Sequence, residues 1–269
     1  MRARRAVLWL CLAGCQFDPG GVGYDERADA RPPPIADAAV DAPVTAVDGG
    51  EPPDAPPPPP PPRYCDPGNA DLVACYRFET SEQANQPFDE SRYRNHGTAR
   101  AAGYRVGHAG TGRAIVTGDD TDVRIPDSPS LDVSAALTIE FWLFPDQMPA
   151  AGSRAGLVDS DQQFGVFLAP GGEVRCLVAG HQIRALTVPL ARWSHVACTY
   201  DGATVSLYQD GELGATLAGT GPINASGTAD VTLGQNSPSG EHLQGAIDDL
   251  RIWRVARSAA QICAAGCTP

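Results

Sequence analysis

The side chains in this 269-residue chain that could do chemistry are few and mostly solitary. Asp248 and Asp249 adjoin in "GAIDDLRIW" (245–253). Neighbours on a strand point to opposite faces, so this pair is expected to split rather than converge. Asp248 would then share a face with Ala246, Leu250 and Ile252, where a carboxylate needs a cation or hydrogen-bond donors. Glu140 stands alone in "TIEFW". Double displacement at a sugar takes two carboxyls about 5 Å apart, and neither stretch offers such a pair. "AGSRAG" (151–156) misses the spacing of a nucleophile elbow by one residue. The acidic "GDDTD" (118–122) precedes a strand and could meet "QNSPSGEH" (235–242) on a rim, where sandwich domains bind ligands. Enzymatic chemistry is not expected.

Cysteine is the other chemically active type. The chain begins "MRARRAVLWLCLAGCQ": three arginines, then an apolar stretch, Ala6–Ala13, too short to span a bilayer. It ends in "LAGC" (12–15), which resembles the lipobox of bacterial lipoprotein signal peptides and implies acylation of Cys15. Gln16, which is not acidic, points to the outer membrane. Residues 1–15 then form the leader. Six cysteines remain after it, and export favours three disulfides. Cys176 and Cys198, in strand patterns joined by a short excursion, are the preferred pair. Cys65 with Cys75 and Cys263 with Cys267 would clip the two chain ends; crossed pairing between those four is the alternative. Zinc spacing is absent.

The elements that must position these groups lie downstream of a spacer. Residues 16–62 are rich in Ala, Pro, Asp and Gly, hold nine acidic residues against two arginines, and end in seven prolines. Such composition lacks the apolar mass to offset ordering entropy and reads as a disordered, partly polyproline linker. Residues 63–269 form the folded domain. A net charge of −12 without a basic stripe excludes nucleic acid as a partner.

Within the domain, alternation predicts strand after strand: 71–79, 122–126, 137–145, 163–168, 173–179, 229–234 and 245–253. "WSHVACTYDGATVSLYQDGEL" (193–213) opens a meander of strands at 194–200, 203–209 and 212–217, turned by Asp201-Gly202 and Asp210-Gly211 as type I′ hairpins. Its inward residues Val196, Cys198, Tyr200, Val205 and Leu207 are expected to build sheet. In the first strand, Leu72, Ala74, Tyr76 and Phe78 should share a face. One helix is signalled, by a Ser258/Gln261 capping box and the stop Gly266. The fold class is all-β, a two-sheet antiparallel jelly-roll sandwich with one short C-terminal helix.

"IPDSPSLDVSAALTIEFWLFP" (125–145), "WSHVACTYDG" (193–202) and "GAIDDLRIWRVARSAAQI" (245–262) resemble laminin-G-like domains of the concanavalin A-like lectin/glucanase group. "FDESRYRNHGTA" (88–99) and "GRAIVTGDDTDVRIP" (112–126) fit in the same order. The resemblance implies a structural Ca²⁺ held by Asp89 and Asn95 after the first strand and by Asp248 in the last, although two arginines flank the loop. It implies a packing role for His195. Trp142, Trp193 and Trp253, each in a strand pattern, are expected in the core rather than as sugar-stacking platforms. The glucanases of the group carry Glu-x-Asp-x-Glu on one strand, which this chain lacks. The expected function is therefore an envelope-anchored, non-enzymatic binding or adhesion module for carbohydrate or a cell-surface protein, touching membrane through its lipid only. Intact mass of the membrane-extracted protein should give an N-terminal, diacylglycerol-modified Cys15; an unmodified start downstream of it would rule the anchor out.

Overall fold

Alternating apolar residues need two sheets to close on, and the computed structural model supplies them. It describes residues 64–79, 85–224, 228–237 and 240–267; the leader, Cys15 and the linker lie outside these. Fifteen strands follow in order: β1 Leu72–Tyr76, β2 Thr98–Arg100, β3 Gly103–Val106, β4 Arg113–Thr117, β5 Asp122–Ile125, β6 Leu137–Pro145, β7 Ala155–Ser160, β8 Phe164–Leu168, β9 Glu173–Val178, β10 His181–Thr187, β11 Ser194–Tyr200, β12 Thr204–Gln209, β13 Glu212–Ala218, β14 Val231–Leu233 and β15 Gly245–Trp253. A short helix, α1 Ala259–Ile262, carries the expected reciprocal Ser258/Gln261 cap. Among the described residues, one sheet has eight strands, β13-β12-β11-β6-β15-β4-β3 with β1 also on β15, and the other has seven, β10-β9-β8-β7-β14-β5-β2. The fold is an antiparallel jelly-roll sandwich.

The core lies between the sheets. Leu137, Ile139, Phe141 and Leu143 of β6 face Phe164, Val166 and Leu168 of β8 and their neighbours in one buried cluster. Val196, Cys198, Tyr200, Val205 and Leu207 join it, so the meander is scaffold. Its two turns differ. Asp210 and Gly211 both have positive φ, as a two-residue type I′ turn requires. Asp201 instead starts a three-residue loop, its carboxylate accepting the N–H groups of Ala203 and Thr204 at 2.9 and 2.7 Å.

Bulges correct two alternation arguments. The β1–β15 register shifts between Leu72 and Ala74. Leu72 consequently leaves the central core and packs outside with Cys65, Cys75 and Trp253. The β15–β6 register shifts between Asp248 and Arg251, with Asp249 at φ 48°. Past this bulge the faces swap. Leu250 and Ile252 point into the core, while Asp248 is on the outer face of the eight-stranded sheet.

The three disulfides pair Cys65 with Cys75, Cys176 with Cys198, and Cys263 with Cys267. Cys176 on β9 and Cys198 on β11 belong to opposite sheets, so their bond staples the sandwich through its core. Closing a 22-residue separation is worth about 3 kcal/mol in the chain-entropy account. The double variant Cys176→Ala/Cys198→Ala should lose roughly that much in a denaturant melt; a loss below about 1 kcal/mol would mean the bond adds little.

Candidate functional site

On the outer face of the eight-stranded sheet, β6, β11 and β15 present Glu140, Trp142, His195, Asp248, Arg251 and Trp253, all buried. Glu140 is wholly shielded and central. Its carboxylate accepts the Trp253 indole N–H at 2.7 Å, with Arg251 at 3.1 Å and Arg257 at 3.5 Å. Burial pushes its carboxyl up, and the two guanidiniums pull it back. The covering layer comes from Tyr64 and from the segment after β15. Tyr64 lies over Arg251 and donates to the Asp249 carbonyl, while Arg257 lies over Trp253. The Cys263–Cys267 clip rests on Gly211, where any Cβ would sit 2.2 Å from Cys263 Sγ. Cys267 Sγ is 3.7 Å from His195 Nδ1. Trp142 and Trp253 therefore pack beneath this outer layer, outside the central core, and Trp193 is half-buried.

The same bulge that turned Asp248 outward gathers a small polar group. His108 Nδ1 lies 3.0 Å from Asp248 Oδ2 and 3.7 Å from Asp249 Oδ2, its ring stacked on Trp142. Burial and the neighbouring Asp248 charge raise the Asp249 carboxyl to about 7. Adjacent residues thus do converge, because the unpaired bulge residue escapes strict alternation.

Of the expected calcium set, Asp89 and Asn95 share one hydrogen-bond network and Asp248 has other partners. Asp89 binds the outer edge of β1: its oxygens accept Cys75 N, Ser91 N, Ser91 Oγ and Asn95 N at 2.7–2.8 Å. Asn95 donates to Val73 O and Ser130. Four donors fill the Asp89 carboxylate, leaving little for an ion that wants six to eight oxygens. Asp248 shares none of these partners; it accepts the backbone N–H groups of His108 and Asp249 at 3.0 and 2.8 Å. Among the described residues, His108, Asp248 and Asp249 have ligand atoms within 4.8 Å of one another, close enough to meet on one cation.

A cleft of about 250 Å³ opens on the outer face of the seven-stranded sheet, at the β7–β8 tip. Asp159, Gly165 and Phe167 share that face. A Cβ on Gly165 would stand 2.6 Å from Asp159 Oδ1 and 2.5 Å from the Phe167 ring, so glycine keeps the floor open. Arg154 lies 4.0 Å over Phe167, pinned by Glu241 at 2.7 Å and by Asn236 at 3.3 Å. Asp159 accepts Ser237 N–H at 2.7 Å, and Gln163 is held by Ser160 and Asp132. Burial raises the Asp159 carboxyl to about 6, Ser237 opposing and Asp161 assisting. The stretch 118–122 meets 235–242 where Gln235 donates to Asp122 at 2.7 Å, and Gln244, just beyond the second stretch, donates to Asp119 at 2.6 Å.

Two facing antiparallel sheets with disulfide-clipped ends define a concanavalin A-like sandwich. The family model Laminin_G_3, of the concanavalin A-like lectin/glucanases superfamily, matches residues 117–263, more than half of the chain. The chain belongs to this family. No curated protein matches the sequence. Among solved structures it is similar to domain 4 of an extracellular family-43 arabinanase from Geobacillus stearothermophilus, bound to arabinotriose, at 21% identity and TM-score 0.57, over 71% of this chain and 96% of that one. A botulinum neurotoxin type C structure, described by the dependence of cell entry on two ganglioside molecules, matches at 12% and 0.55 over 71% and 50%. Trypanosoma rangeli sialidase with the inhibitor DANA matches at 13% and 0.55 over 72% and 32%. This chain thus spans half the length of the toxin chain and a third of the sialidase.

Sequence reasoning missed His108, Arg154 and the Asp159/Asp161 pair. Asp159 lies near the end of β7 and Asp161 in the turn after it, so alternation does not forecast that they are neighbours. His108 and Arg154 meet their partners only through folding.

His195 gives a test of the covered face. Burial first, then the Arg251 charge, lower its pKa to about 3. Between pH 6.5 and about 3 the unfolded chain takes a proton that the native imidazole refuses, so this residue costs stability as pH falls. Lowering pH from 6.5 to 4.5 should destabilise the wild type by about 2–3 kcal/mol more than His195→Gln. Equal losses in paired melts would contradict a neutral, buried imidazole.

Proposed function

We propose that this chain is a non-enzymatic binding module, anchored to the cell envelope through Cys15, that takes carbohydrate in the cleft over the seven-stranded sheet. The observation that carries the reading is the mutual pinning of the cleft's polar groups. Arg154 is fixed by Glu241 and Asn236, Asp159 by Ser237, and Gln163 by Asp132. Groups already held lose little freedom when a ligand arrives, which favours hydroxyl recognition by a preorganised set. Arg154 occupies a face of Phe167, so recognition rests on hydrogen bonds rather than sugar stacking. The likeness to a domain solved with arabinotriose supports a sugar ligand. Three disulfides suit an oxidising compartment, and among the described residues no helix is long and apolar enough to cross a membrane.

A second reading, glycoside hydrolysis, is favoured by Asp159, whose carboxyl is raised to about 6 beside Asp161. Against it, Asp159 is 6% exposed and already accepts the Ser237 N–H, so little of it is open to a scissile bond. The test is a glycan and polysaccharide screen of the mature protein, with calcium and with EDTA, following both retention and release of reducing ends. Saturable binding without turnover, weakened about tenfold or more by Arg154→Ala, is expected. Turnover would establish the hydrolase. Silence in both buffers from folded protein would leave a protein-binding envelope lipoprotein.

A further inference from the structure

The exit of β1 carries a second concavity, which shares no residue with the cleft. It holds about 370 Å³, and its described walls include three aromatic rings, Phe78, Phe88 and Tyr104, and two carboxylates, Glu79 and Glu90. No basic side chain is among those walls. We infer that this pocket binds a small organic cation, an alkylammonium group, with the rings against its carbon surface and the two glutamates supplying the charge.

Four observations converge on that ligand. Aromatic faces carry negative quadrupole charge and attract cations within about 6 Å, more strongly where water is reduced. Tyr104 already does this with a residue of its own chain, Arg113 standing 4.1 Å from its centroid. The glutamates are weakly compensated. Arg77 reaches Glu79 only at 3.9 Å and is shared with Asp249 at the same distance. Glu90 is pushed up by burial, with Arg77 opposing and Glu79 and Asp89 adding to the rise.

The rings are also held in place. Phe88 stacks on His96 at 4.0 Å, and Phe78 stacks on Tyr76 at 6.1 Å. Phe78 keeps φ at 58°, a left-handed conformation that bulky residues rarely adopt and that recurs at ligand clamps. Glu79 is fixed by the Arg113 N–H at 3.2 Å and packs so tightly on Gly112 that a Cβ there would sit 2.4 Å from its oxygens. A hydrated metal ion wants oxygen on every side. Three rings instead suit a cation with a carbon exterior.

The test uses the mature protein with EDTA present throughout. Titration by calorimetry and by proton NMR compares tetramethylammonium chloride, potassium chloride at equal ionic strength, and tert-butyl alcohol as an uncharged ligand of similar size. Saturable binding of tetramethylammonium alone is expected. Glu90→Gln and Tyr104→Leu should each weaken it about tenfold, with melting temperature and near-UV circular dichroism unchanged. Equal binding of the alcohol would reduce the pocket to a plain apolar hollow, and displacement by potassium would reduce it to general acidity. Either result, or no binding at all by the folded wild type, would overturn the assignment. The wild-type comparison stands whatever the variants do.

Discussion

A carboxylate shielded from solvent sits at the middle of the eight-stranded sheet, and much of the outer architecture answers to it. Glu140 is fully buried on the face that turns away from the core. An ion there must be met by donors, because an unpaired buried charge costs several kcal/mol. Arg251 and Trp253 come from the neighbouring strand, and Arg257 comes from the segment leading to α1. These side chains in turn need cover, which Tyr64 and the C-terminal clip provide. Tyr64 and the segment after β15 thereby lie on one face; Cys65–Cys75 ties the first to β1, and Cys263–Cys267 closes a local loop in the second.

That commitment divides the molecule by role. One outer face is covered by Tyr64 and the segment after β15. The other, on the seven-stranded sheet, carries half-buried charged side chains such as Arg175, paired with Glu173, and Arg124, paired with Asp122. Its cleft opens where a hairpin tip meets a rim loop, and its floor is kept open by glycine. The division makes a binding surface from ordinary sandwich geometry without asking any strand of the central core to move.

Much of this was legible beforehand because alternation reports burial directly. β6, β9, β11 and β12 announce themselves by inward Leu, Val, Ile and Cys at every second position. Five strands escaped notice, β2, β3, β4, β7 and β10. β3 and β10 are edge strands, half-exposed along their length, and every residue of β7, "AGLVDS", is buried. The Asp248/Asp249 geometry was also beyond reach. A bulge is decided by cross-strand register, so a rule of opposite faces places Asp248 in the core and parts it from its neighbour. Glu140 looked isolated for the same reason: Arg251, Trp253 and Arg257 lie more than a hundred residues away.

The central claim is that the cleft over the seven-stranded sheet holds an intact sugar and does not cut it. Saturation-transfer difference NMR on the mature protein with a mixture of neutral oligosaccharides, followed for a day, addresses both halves together. Transfer to ring protons with unchanged anomeric signals, lost in Arg154→Ala, is the predicted result. New anomeric signals growing with time, or transfer that persists undiminished in Arg154→Ala, would contradict it.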